Sequence, residues 1–131
     1  MNKFVTSLIL SIALLATSGC SLLHPVVVNV PGQVNTFDGT AYLTLVTAKG
    51  VIDQAKLDVV NGVFPVNLVS NIKVAINDAV NAYNVADQAY QAYHTAAVAG
   101  TATSLQQSTV TVDVNFLSGQ INALTAAKAG K

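Results

Sequence analysis

The spacing of apolar residues between Val69 and Ala97 constrains this chain more than any other feature. Val69, Ile72, Ile76, Ala79, Tyr83, Ala86, Tyr90, Tyr93 and Ala97 follow one another at alternating intervals of three and four. At 3.6 residues per turn that alternation puts all nine on one helical face, whereas a strand would scatter them over both of its sides. The pattern predicts a helix over about 68–98, close to 45 Å long at roughly 1.5 Å per residue. A helix of that length cannot leave its apolar stripe in water, so the chain needs partner helices to cover it. Alanine alternating with tyrosine along the stripe points to helices that approach closely and make room for large side chains at intervals.

The same alternation relates Ala41, Leu45, Ala48, Ile52, Ala55 and Val59 and predicts a helix over about 39–61. Asp38 or Thr40 can cap its start. Asn61-Gly62 followed by Pro65 supplies a left-handed residue and a breaker at its end. The last segment reads two ways. Val110, Val112, Val114 and Phe116 alternate as in a strand, while Val110, Val114, Leu117, Ile121 and Leu124 fit a helix. The helical pattern is the longer one, Ser104 can cap it, and a lone strand would have no partner for its backbone groups. We therefore expect a helix over about 104–128, although the β-branched run at 108–116 argues for strand. The fold expected is all-α, an up-down-up three-helix bundle joined by short connections. The competing arrangement is a helical hairpin with a loose or oligomer-forming third segment.

Charge limits the partners. Every charged residue is Lys or Asp, six of each, and charged residues make up 9% of the chain against about 25% in ordinary globular proteins. Asn, Gln, Thr and Ser must cover the surface instead. A near-neutral balance offers no basic stripe for nucleic acid and no polybasic patch for anionic lipid.

The first twenty residues carry a different message. Lys3, an apolar run from Phe4 to Ala16, and the small residues Thr17-Ser18-Gly19 before Cys20 have the layout of an export signal. The apolar run is too short to cross a bilayer's hydrocarbon core of about 30 Å. Ala16-Thr17-Ser18-Gly19-Cys20 resembles the lipobox of bacterial lipoproteins, departing from its commonest form at Thr17, where leucine is preferred. The resemblance implies cleavage between Gly19 and Cys20 and acylation of the Cys20 thiol. Ser21, uncharged, implies sorting to an outer membrane, with the protein facing the periplasm. Cys20 is the only cysteine, and a lipid on it removes a thiol that would otherwise be unpaired outside the cell. Two or three acyl chains hold durably where one does not.

The expected domains are thus a signal peptide at 1–19, a lipidated cysteine and tether at 20–37, and a helical domain at 38–131. The segment from Ala82-Tyr83-Asn84 to Ala92-Tyr93-His94 resembles small, uncharacterised Ala/Tyr-rich helical lipoproteins of bacteria and phages, a resemblance that implies no particular activity.

No residue set spells out a reaction. Gly-x-Ser-x-Gly is absent, and His24 and His94, the two histidines, have no Glu or second Cys at ligand spacing. We expect no metal, no cofactor beyond the lipid on Cys20, and no enzyme. A buried Asp beside His94 in a pocket would reverse that reading. Candidate partner contacts are Tyr83, Tyr90 and Tyr93, if they form a ladder and not a core, and Val63 and Phe64 in the loop at the far end from the tether. The competing reading of that loop has Val63 closing one helix and Phe64 or Val66 stapling the next. Lys131 is a candidate for attachment to peptidoglycan, on an architectural resemblance to the murein lipoproteins. The function expected is a structural or protein-interaction lipoprotein of the cell envelope, able to self-associate through its helix stripes. The alternatives are a small binding or exclusion module and a membrane-to-wall tether.

Overall fold

A computed structural model describes residues 32–130. The expected signal peptide (1–19), Cys20, His24, most of the expected tether and Lys131 lie outside the described residues.

The described residues form three helices: α1 Thr36–Val60, α2 Val66–Val98 and α3 Ser104–Lys128. The bundle is up-down-up. Lys128 at the end of α3 pairs with Asp58 near the end of α1 at 3.3 Å, and Phe37 near the start of α1 borders the same small cavity as Val110 near the start of α3. The third segment is helix throughout, and the two competing patterns within it separate cleanly. Val110, Val114, Leu117, Ile121 and Leu124 are all buried, while Val112 and Phe116, the extra members of the strand pattern, face outward.

The expected stripes of α1 and α2 form most of the remaining core. Ala41, Leu45, Ala48, Ile52 and Ala55 are buried, as are Ile72, Ile76, Ala79, Ala86, Tyr90 and Tyr93. Val59, Tyr83 and Ala97 are half-buried against them. One element was not legible as a stripe. Leu68, Ala75, Ala82 and Ala89 recur every seven residues on α2 and also pack inward. The reason is topological: α2 packs against both neighbours, most extensively against α3, whereas α1 and α3 touch each other least. A helix with two partners needs a wider apolar face than a single heptad seam supplies. Burying side chains such as Leu117 and Leu124, both fully enclosed, contributes roughly 1.5–3 kcal/mol each.

The helix ends correct two expectations. Asn35 caps α1, its side chain accepting from the Asp38 backbone N–H at 2.9 Å, so the helix begins at Thr36 and the tether boundary moves back from 37. Asp38 sits one turn inside, and Thr40 turns its hydroxyl back to the Thr36 carbonyl. Thr103, not Ser104, caps α3, in a reciprocal capping box with Gln106. The end of α1 is as expected. Gly62 adopts φ +67°, its N–H bonds to Val59, and the Val63 N–H bonds back to Asp58, a Schellman ending that L side chains with a Cβ resist. α2 begins at Val66, two residues before the expected start, directly after Pro65.

Candidate functional site

The two ends of the bundle differ in chemistry, and the end where the tether enters holds the more elaborate arrangement. Asn35-x-x-Asp38 is a helix-start pattern in which the acid reaches back toward the preceding backbone. Here Asp38 Oδ2 accepts from the Val34 N–H at 2.9 Å. The carboxylate is fully buried, 0% exposed, and burial of an ion is costly unless it is paired. Its partner comes from the last turns of α2. His94 Nδ1 stands 2.9 Å from Oδ1 and 2.8 Å from Oδ2. A carboxylate can only accept, so Nδ1 carries the proton and donates it.

Two tyrosines of the α2 stripe complete the junction. Tyr90 and Tyr93 are buried in the core, and both hydroxyls are spent on the incoming chain. Tyr90 donates to Gln33 Oε1 at 2.7 Å, and Tyr93 Oη accepts from Asn35 Nδ2 at 3.1 Å. Phe37 stands edge-on to Tyr93 with ring centroids 4.9 Å apart, and the His94 ring stacks on Tyr90 at 5.7 Å. Burial pushes the Tyr90 phenol well above its ordinary range, with the nearby Asp38 charge adding to the effect. Residues 33–38 are therefore clasped to 90–94 by three side-chain pairs and an aromatic contact.

A buried Asp does stand beside His94, one part of the arrangement that would favour catalysis. The small cavity between α1 and α3, about 10 Å³, is lined by Phe37, Thr40, Ala41, Thr44, Val110 and Val114 among others. A larger open groove, about 390 Å³, lies between α2 and α3 at Asp78, Ala82, Val85 and Phe116. Neither is lined by Asp38 or His94. Among the described residues the pair's side chains bond to each other and to the Val34 backbone. Among the described residues no group of three His, Cys, Asp or Glu is placed to hold a metal ion.

The opposite end exposes several aliphatic side chains and is joined by the Lys128–Asp58 pair between α3 and α1. Val60, Val63 and Val66 are 81%, 62% and 91% exposed. Val63 and Leu57, the aliphatic residues that would close this Gly-ended helix against each other, are both more than half exposed. Val66 staples nothing, whereas Phe64 does pack, half-buried against the core, with Lys128 Nζ 5.8 Å from its ring centre. Of the candidate contacts, then, Tyr90 and Tyr93 are core residues unavailable to a partner on the folded bundle. Tyr83 is half-buried, and Val63 is open to solvent. Burial raises the Tyr83 phenol, helped by Asp87.

Charge is distributed unevenly along the axis, which the chain-wide balance conceals. Of the described lysines, Lys56, Lys73 and Lys128 lie toward the loop end, where Asp53 and Asp58 also lie, while Lys49 stands at the middle of α1. Asp53 pairs with Lys49 and Lys56, and Asp58 with Lys128. Lys49 is raised and Asp53 lowered by their mutual hydrogen bond. Asp38, Asp87 and Asp113 lie toward the other end, and Asp78, in the loop half of α2, is about as far from the loop as Lys49. No described helix is long and apolar enough to cross a membrane. No family model, no curated protein and no solved structure matches this chain.

Proposed function

We propose that this protein is a lipid-anchored, non-catalytic interaction lipoprotein of the bacterial envelope, held through Cys20 at the outer membrane and displaying its bundle in the periplasm. The sequence support is the lipobox-like Ala16–Cys20 segment. The structural observation that favours the reading is the junction. The chain leading from the anchor is fastened to the body at Gln33, Asn35 and Asp38, the place where any pull on the tether would enter the bundle. A buried acid already engaged by a backbone N–H and an imidazole reads as a fastening more than as an acid or base, since general catalysis needs a group within reach of substrate.

The experiment is direct. Mature protein from envelope fractions should carry acyl mass on Cys20, and Cys20→Ala should release it to the soluble fraction. A Cys20→Ala chain that stays in the membrane, with an unacylated wild type, sinks the anchor. Cross-linking in intact cells followed by mass spectrometry would then identify neighbours, whether an envelope protein, peptidoglycan through Lys131 or a second copy.

A further inference from the structure

We propose that Asn61 is a site of spontaneous deamidation, a covalent change in the α1–α2 turn that proceeds when the last turn of α1 opens. Of the chain's asparagines, Asn61 alone is followed by glycine. The step needs these two residues and water. The Gly62 amide nitrogen gives up its proton to hydroxide and attacks the Asn61 side-chain carbon Cγ. The new N–Cγ bond closes a succinimide ring, and Nδ2 leaves as ammonia after taking a proton from water. Water then opens the ring at either carbonyl. Breaking the bond to Cγ leaves an aspartate; breaking the bond to the main-chain carbon leaves an isoaspartate, whose backbone runs through Cβ and Cγ. No oxidant or reductant is involved.

The local structure leaves the nucleophile uncrowded. Gly62 has no side chain to obstruct its own nitrogen, and nothing lies within 4 Å of the place a Cβ would occupy. Asn61 and Gly62 are both exposed. Asn67, Asn71 and Asn84 are also exposed, but Leu68, Ile72 and Val85 follow them, each with a branched side chain, inside α2.

The fold sets the rate. Ring closure requires the Gly62 nitrogen to eclipse Asn61 Cβ about the Cα–C bond. At the Asn61 ψ of 1° it eclipses the Asn61 nitrogen instead. The Gly62 N–H is held by the Val59 carbonyl at 3.2 Å, and the Val63 N–H by that of Asp58 at 3.0 Å. The reaction therefore waits for these bonds to break and the Asn61 backbone to turn. Such opening is cheapest at helix ends with exposed residues. Two hydrogen bonds of ordinary net strength slow the reaction roughly five- to thirtyfold relative to an unfolded chain.

Either product carries a negative charge at the C-terminal end of α1, already the negative end of the helix dipole. It enters a stretch, residues 59–72, that otherwise has no charged side chain, and it follows Asp58 by less than one turn. Isoaspartate also lengthens the backbone, so the Gly62 and Val63 N–H groups lose register with Val59 and Asp58. Conversion thus undoes the Schellman ending and loosens the turn irreversibly.

The described core closes within residues 32–130, so the test can use the chain from residue 20 with Cys20→Ser. It is held folded in neutral buffer, beside the same chain unfolded in urea. Peptides from successive times are read by mass spectrometry for amide-to-acid conversion and for isoaspartate. Asn61 should convert well before Asn67, Asn71 or Asn84, to both products, and roughly five- to thirtyfold faster in urea. Asn61→Gln, which would have to close a larger ring, should abolish the signal at 61. Hydrogen exchange at the Val63 N–H should be faster in converted chains than in fresh ones. Three results would each overturn the proposal: no conversion at Asn61 in the folded chain while the unfolded chain converts, conversion there no faster than at the other asparagines, or equal rates with and without urea. The chemistry does not involve Cys20, so none of these results bears on the anchor.

Discussion

The two ends of this bundle solve opposite problems with similar helices. At the tether end the chain buries a carboxylate and surrounds it with an imidazole, two phenols and two amide side chains, each joined to a specific partner. At the loop end it leaves aliphatic side chains in water and joins little beyond Lys128 to Asp58. The junction specifies one arrangement of residues 33–38 because unpaired buried polar groups are expensive. The exposed valines of the loop end make no comparable demand.

The comparison breaks if the junction proves dispensable. Asp38→Ala should be the most damaging of the junction changes, since it strips Val34 N–H and His94 of their acceptor. A loss of about 3 kcal/mol is expected in urea unfolding, and a loss below 1 kcal/mol would mean the cluster is ornamental. Asn35→Ala removes both the α1 cap and the Tyr93 partner and should cost about 1–2 kcal/mol.

Tyr90→Phe should cost about 1 kcal/mol at neutral pH for the lost bond to Gln33, and it carries a pH signature. The folded phenol is raised above its ordinary value of 10.0, so its contribution is complete below that pH. It falls away as pH rises past it, because the unfolded chain ionises first. Alkaline unfolding should therefore become shallower in the variant. At the other end Val63→Ser and Val66→Ser should each move stability by no more than about 0.5 kcal/mol. A larger drop would show that the tip is packed after all.

The helices were legible in the sequence because periodicity is a local property. The stripes at Ala41–Val59, Val69–Ala97 and Val110–Leu124 gave all three elements and most of the core, and even the ambiguous Val112 and Phe116 declared themselves once Leu117 and Ile121 were followed. The Ala75-Ala82-Ala89 row was hidden because alanine is common on either face and only the central position of α2 requires it. The cap at Asn35 was within reach, since Asn35 and Asp38 stand at capping-box spacing, but Asp38 was read as the cap itself. The junction was not readable at all. Its pairs join residues 56 to 58 positions apart, and which side chain of α2 meets which of the lead is fixed by how far the helices slide past each other, not by any local pattern. The loop read two ways in sequence, and the structure divides them: Val63 and Val66 are exposed while Phe64 packs half-buried against the core.

The same separation of partners has a consequence for when the molecule becomes whole. A chain is made from its N-terminus, and Gln33, Asn35 and Asp38 are among the first described residues to emerge. Each waits for a partner between Tyr90 and His94, so during synthesis their buried bonds cannot exist. The α2–α3 pairing can be completed only after residue 104 and beyond have followed. Closure of the tether end and assembly of the core therefore coincide late in the life of the nascent chain. Until then Gln33, Asn35 and Asp38 stand without the partners that fix them in the folded chain.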